Sequence, residues 1–181
     1  PEKGSGRETV CGNRDDFFPY GAWKGADPFL KGGRKEVAMI IESLCADDTS
    51  AFGKKLGEAA EPGTVYTLVG DLGVGKTVLT QGLAEGLDIT EAVNSPTFTI
   101  LQVYEEGRLP LYHFDVYRIG DVEEMDEIGY EDYFYGDGVC LIEWANLIEE
   151  ILPEKYTEIR IEKDLEKGFD YRKITVTEVE A

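Results

Sequence analysis

The chain has 181 residues, 42% of them apolar, and a formal net charge of −19, which is enough for one domain with a full core and does not call for two. It shows no run of about eighteen apolar residues that could span a membrane, no apolar leader with a small-residue cleavage site, and no cysteine or histidine spacing suited to zinc. The three cysteines, Cys11, Cys45 and Cys140, are an odd number and point to a reducing compartment, the cytoplasm, without a disulfide framework. A surface this acidic repels phosphate backbones, so work on a nucleic acid calls for a more basic partner. Solubility is the alternative reading of the charge.

Residues 1–38 read as an irregular or disordered segment, rich in glycine and carrying Phe17, Phe18, Tyr20, Trp23 and Phe29 without sustained periodicity. The first methionine is Met39, and Gly32-Gly33-Arg34-Lys35-Glu36 fits purine-rich codons such as a ribosome-binding site uses. The expected natural start is therefore Met39, the rival being an extension whose aromatics dock on the domain. Residues 38–44 predict a first strand. Asp47 and Asp48 are expected to cap a helix over 49–60 with Phe52, Leu56 and Ala60 as its apolar stripe. Pro62-Gly63 then turns the chain into an apolar, β-branched strand, 64–69.

Next comes Gly70-Asp71-Leu72-Gly73-Val74-Gly75-Lys76-Thr77, which fits the phosphate-binding pattern of Gly, four residues and Gly-Lys-Thr. The following helix carries Leu79, Leu83 and Leu87, and its Gly82 and Gly86 are expected to permit close packing on the sheet. Asn94-Ser95-Pro96-Thr97 is a fixed turn, because the proline keeps Ser95 out of the helical region. Residues 98–104 and 109–117 alternate as strands across a turn at 105–108, with His113 and Asp115 on one side of the second strand. Asp121-Val122-Glu123-Glu124 is a capping-box pattern. A second short helical stretch follows over 129–134. Residues 139–142 form a continuous apolar strand ending in Glu143-Trp144. Residues 146–152 read as a helix stopped by Pro153, and 156–161 and 171–179 as strands. The expected architecture is α/β: a P-loop NTPase-like three-layer domain, residues 39–181, with a mixed parallel and antiparallel sheet.

Glycines at 70, 73 and 75 free the loop backbone to approach a ligand. Its N–H groups and the N-terminus of the next helix make an anion nest. Lys76 supplies charge for the β- and γ-phosphates and Thr77 a hydroxyl for Mg²⁺. A nucleotide hydrolase also needs a second carboxylate on a neighbouring strand end and a group that places water. Glu143 is the choice for the metal, and Asp115 for a supporting ligand or water-positioning base. Ser95 and Thr97 could reach the γ-phosphate as a switch-like loop or form an ordinary proline turn, Trp144 could cover the site, face a partner or belong to the core, and Arg172 could touch phosphate or adenine or be an exposed strand arginine. A lone strand histidine such as His113 is ordinarily structural.

Gly-Asp-Leu-Gly-Val-Gly-Lys-Thr, Ser-Pro-Thr-Phe-Thr, Leu-Tyr-His-Phe-Asp-Val-Tyr-Arg and Leu-Ile-Glu-Trp, in that order and spacing, resemble the bacterial TsaE (YjeE) family over about residues 39–179. The resemblance implies a small ATPase needed to form N6-threonylcarbamoyladenosine in tRNAs that read ANN codons. It acts there with a TsaD–TsaB heterodimer, in which TsaD transfers threonylcarbamoyl from its adenylate to adenosine and ATP hydrolysis resets the complex. By position it implies ATP held by Gly70, Asp71, Leu72, Gly73, Val74, Gly75, Lys76, Thr77 and Val78, and Mg²⁺ held by Thr77 and Glu143. Asp115 and Trp144 fall on activity-linked positions, and 46–49, with Thr49, and Arg172 on nucleotide-contacting ones. Val78 stands where many members have a second threonine. tRNA would be met only through the partners. The other readings are a P-loop kinase, disfavoured by the scarcity of arginine in mid-chain, and a nucleotide-gated interaction module that does not hydrolyse.

Overall fold

In the computed structural model the described residues are 28–31 and 34–180. The expectations placed on residues 1–27, Cys11 among them, lie outside them. Where residues 28–38 had been expected to be irregular, β1 (Pro28–Lys31) and β2 (Arg34–Ser43) pair antiparallel. β2 also runs antiparallel to the last strand over its whole length, from Lys35↔Glu180 to Ser43↔Arg172. The backbone ladder, rather than any apolar pattern, carries the strand back past Met39.

From β2 the chain passes through α1 (Ala46–Ala59), β3 (Val65–Val69), α2 (Lys76–Gly86), β4 (Leu101–Tyr104) and β5 (Leu111–Asp115). Then come two short helices, α3 (Glu123–Ile128) and α4 (Tyr130–Phe134), β6 (Val139–Glu143), two single 3₁₀ turns, β7 (Lys155–Lys163) and β8 (Arg172–Glu180). One sheet holds all eight strands in the order β1-β2-β8-β7-β3-β6-β5-β4. β7, β3, β6 and β5 are mutually parallel, and antiparallel strands flank them on both sides. This is the expected mixed α/β sheet. Its central strands β3 and β6 are mostly apolar because both of their faces are covered.

Alternation along the strands sorts side chains into two cores. Leu68, Leu141, Ile159 and Ile174 face α1 and α2, where Phe52, Leu79 and Leu83 meet them. Phe114, Cys140 and Ile142 face the opposite way, onto Met125, Phe134 and Ile148. Each fully buried Leu or Ile contributes roughly 1.5–3 kcal/mol. No helix among the described residues is long and apolar enough to cross a membrane.

Four glycines set how closely α1 and α2 pack. A Cβ on Gly53 or Gly57 would strike the backbone of α2 at Leu79 and Leu83, and one on Gly82 or Gly86 the backbone of α1 at Ser50 and Lys54. The glycines of α2 therefore pack on a second helix and not on the sheet, contrary to expectation. Arg108 fixes the C-terminal end of α1: its guanidinium donates to the carbonyls of Gly57 and Ala60, where the helix leaves acceptors unpaired.

Three local readings change. α1 starts at Ala46 with Cys45 as N-cap, and Asp48 accepts the Leu44 N–H at 2.9 Å instead of capping. β4 begins only at Leu101, because the N–H groups of Thr99 and Ile100 fold back onto the Pro96 carbonyl. Residues 145–152 form two 3₁₀ turns, Ala145–Leu147 and Glu149–Ile151, broken by Ile148 at φ −131°. The capping pattern at 121–124 appears as reciprocal bonds, with Glu124 accepting the Asp121 N–H and Asp121 the Glu123 N–H. Cys140 is a buried free thiol, pushed above the ordinary thiol pKa by burial.

Thr67, in the middle of β3, buries a hydroxyl with no hydrogen-bond partner. Thr67→Val keeps the shape and removes the unpaired oxygen. Its urea midpoint is expected to rise by the equivalent of about 1 kcal/mol.

Candidate functional site

β3 ends at Val69, and the chain turns at once into the loop. Gly70, Gly73 and Gly75 have φ of 158°, 70° and 110°. Gly70 is extended, and its constraint is space: a Cβ there would lie 2.6 Å from the Ile161 carbonyl oxygen. Gly73 and Gly75 occupy the left-handed region that side chains resist. Gly75 is the N-cap of α2, so the first N–H groups of that helix open onto the loop with no carbonyl one turn earlier to bond. Leu72 is exposed at the tip of the loop, and Val74 is buried beneath it.

Lys76 lies inside the curl. Its Nζ donates to the carbonyls of Gly70 at 2.8 Å and Asp71 at 3.1 Å, and sits 4.3 Å from the centre of the Trp144 ring. Burial pulls its pKa below the ordinary lysine value, and the nearby carboxylates of Glu143, Asp115 and Asp71 push it back up. Trp144 itself is half-buried. It holds φ 62°, and its ring also meets Tyr117 at 4.9 Å. Thr77 and Val78, the next two residues of α2, are half-buried.

Both candidate acids arrive from the strands beside the loop. Register places Glu143 opposite Leu68 of β3 and opposite Asp115 of β5. Glu143 is 3% exposed and its Oε1 lies 3.0 Å from His113 Nε2. Asp115 is as deeply buried but differently engaged. Its Oδ2 accepts from Ser95 Oγ and from Thr97 Oγ1, both at 2.7 Å, and its Oδ1 accepts the Tyr117 N–H at 3.1 Å.

A water-positioning base needs an oxygen facing water. Asp115 has three donors on its two oxygens and instead ties the Ser-Pro-Thr turn to the sheet. Ser95 and Thr97 are correspondingly committed to Asp115, not offered to a phosphate. Asp115→Ala is expected to speed amide exchange over residues 95–100 about tenfold and to cost roughly 2 kcal/mol of stability, since hydrogen bonds to a charged group are the stronger kind. Hydrogen-exchange mass spectrometry with a urea titration checks both.

Two further expected contacts take other forms. Arg172 reaches the loop, but its Nε donates to the Val74 carbonyl at 2.6 Å and its Nη1 to the Phe169 and Tyr171 carbonyls. It braces the loop from behind. Thr49 is 2% exposed, and its hydroxyl is bonded to Ser43 Oγ at 2.7 Å. Ser43 Oγ in turn donates to the Cys45 carbonyl, so the pair stabilises the turn into α1 and takes up the Thr49 hydroxyl proton. Sequence reasoning missed the His113–Glu143 contact, although the alternation that put His113 on Asp115's side of β5 was the available signal.

The parallel strands, the glycine loop at the end of β3, the helix opening from it and the acid on the adjoining strand define a P-loop α/β protein. A family model described as "Threonylcarbamoyl adenosine biosynthesis protein TsaE" matches residues 44–174. The tRNA threonylcarbamoyladenosine biosynthesis protein TsaE of Bacillus subtilis is 53% identical over 133 residues, covering 74% of this chain and 81% of the relative. That of Treponema pallidum is 48% identical over 116 residues, covering 64% and 85%. The crystal structure of Bacillus subtilis YdiB superposes with a TM-score of 0.69 at 45% identity, covering 80% of this chain and 87% of that one. The chain belongs to the TsaE family.

Proposed function

We propose that this protein binds and hydrolyses ATP with Mg²⁺ in the cytoplasm, as the accessory ATPase in formation of N6-threonylcarbamoyladenosine in ANN-reading tRNAs. ATP hydrolysis resets a TsaD–TsaB type transferase between turnovers. The observation that carries the reading is the arrangement at the end of β3. The loop from Gly70 to Val78 curls around Lys76, and the buried Glu143 sits on the adjacent strand.

The residues fit the groups. A cradle lined by backbone N–H, with one lysine, suits a triphosphate. Thr77 and Glu143 are hard oxygen donors of the kind Mg²⁺ takes. No cluster of three or more His, Cys, Asp or Glu among the described residues could hold a metal alone. That suits a cation held by one or two protein oxygens together with phosphate and water. Mg²⁺ when bound neutralises charge on the β- and γ-phosphates. Lys76 would hold the same phosphates, Glu143 would supply an oxygen to the cation, and Asp115 would act at one remove by fixing the Ser95–Thr97 turn. Arg172 supports the loop.

The net charge of −19 favours contact with tRNA only through partners. The ATPase unit spans residues 39–181, with β1 and the start of β2 as an added edge. The test is ATP turnover by the purified chain, alone and with the TsaD–TsaB pair. A weak rate that rises with the pair is expected, as in P-loop enzymes completed in trans. No turnover under either condition leaves a nucleotide-gated interaction module. Phosphate transfer to an acceptor leaves a kinase.

A further inference from the structure

We propose that His113 is the positioning residue of the Glu143 carboxylate, holding it through an Nε2–H···Oε1 bond so that Oε2 is left to meet the cation. The proposal rests on the reading of Glu143 as the acid that holds Mg²⁺.

His113 is fully buried in β5, on the α1–α2 side of the sheet, paired in register with Leu141 and two residues from Leu111. Leucine would serve the packing there. The imidazole instead brings two polar nitrogens into an apolar layer. Nδ1 has no partner, and a buried unpaired polar atom costs about 1–3 kcal/mol. The one polar contact of the ring is the 3.0 Å bond to Glu143.

That contact fixes the tautomer. If Nδ1 carried the proton, the Nε2 lone pair would face a carboxylate lone pair across 3.0 Å, and a donor would stay buried without an acceptor. With the proton on Nε2, the ring donates to the carboxylate and leaves only an acceptor unpaired. His113 therefore gives the Glu143 carboxylate at the end of β6 a hydrogen-bond donor, which holds it in one orientation before any ligand arrives. Supporting bonds of this kind are worth about 10–100-fold in metal affinity. The contrast with Asp115 sharpens the assignment. That acid has both oxygens occupied by protein donors, whereas His113 takes one oxygen of Glu143 and leaves the other.

The experiment is calorimetric ATP binding by the full chain at increasing Mg²⁺ and in EDTA, with thermal unfolding alongside. His113→Met keeps volume and removes the donor. It is expected to need about tenfold more Mg²⁺ for half of the metal-dependent tightening, with ATP affinity in EDTA unchanged. His113→Gln places an amide N–H near the Nε2 position and should stay within about threefold of wild type, whereas His113→Asn, too short to reach Glu143, should behave as His113→Met. A wild-type Mg²⁺ response in His113→Met overturns the proposal. Where His113→Met fails to fold, equal responses of the Gln and Asn variants overturn it and a Gln-only rescue supports it. Glu143→Ala separates the two readings. If it keeps the Mg²⁺ response, the metal assignment has failed and this proposal with it. If it loses the response while His113→Met keeps it, only the role of His113 is lost.

Discussion

Lys76→Ala is expected to lower ATP affinity by at least about 100-fold, close to 3 kcal/mol, while the protein stays folded. Two effects add. The ammonium lies inside the curl, held on the carbonyls of Gly70 and Asp71 and 4.3 Å from the centre of the Trp144 ring. Charge-assisted hydrogen bonds from it to phosphate oxygens contribute roughly 1.5–3 kcal/mol. The second effect is what alanine exposes. Glu143, Asp115 and Asp71 all act electrostatically on Lys76. With the lysine gone, their field meets a triphosphate unopposed. Burial draws the Lys76 pKa below the ordinary lysine value, and the same three carboxylates offset part of that shift. Calorimetry in Mg²⁺ measures the loss. Affinity within threefold of wild type would remove the phosphate-binding assignment altogether. Because Lys76 contributes two bonds to loop carbonyls and little core, its thermal midpoint should shift by only a few degrees.

The parts of this fold legible in the sequence are those where one local rule acts without competition. β3 and β6 are mostly apolar runs, the glycine-lysine-threonine pattern sits between β3 and a helix, and all three stand in the structure within a residue of their expected bounds. Misreadings fall where a distant group overrides the local signal. The stretch 98–104 alternates like a strand, yet Asp115, across the sheet order, anchors Ser95 and Thr97 and folds residues 96–100 into a turn with Ile100 at φ 65°. Residues 146–152 have a helical composition, but the backbone at Trp144 enters with positive φ, its N–H bonded to the Leu68 carbonyl of β3. Arg172 lies nearly a hundred residues from Val74 and meets it only because β8 folds back along β7. The site was legible in its residue types and less so in its roles. Sequence identifies Asp115, Thr49 and Arg172 as polar groups of the right kind, but which donor each one meets is decided by strand register and by the turn that follows.

Gly82→Ala separates a local rule from a tertiary one, because the two predict opposite signs. On helix propensity alone, alanine in the middle of α2 should stabilise by about 1 kcal/mol. The structure predicts destabilisation by roughly 2 kcal/mol or more. A Cβ at Gly82 would run into the Ser50 carbonyl of α1, with the Ser50 Cα only 3.0 Å away. Those atoms are helix backbone and cannot turn aside as a side chain could. The helices must separate, loosening the contact of Phe52 with Leu79 and Leu83, and overpacking of this kind costs about 1–3 kcal/mol. The effect should reach the site, because α2 begins at the loop: moving the helix moves the N–H groups that open onto it, so ATP affinity falls along with the urea midpoint. Gly73→Ala is the control. Nothing lies within 4 Å of a Cβ there, and the only penalty is φ of 70°, about 1–2 kcal/mol. Urea titration of the two variants, with ATP binding measured on each, tests the argument. A Gly82→Ala protein more stable than wild type would mean that α1 and α2 are not packed backbone to backbone.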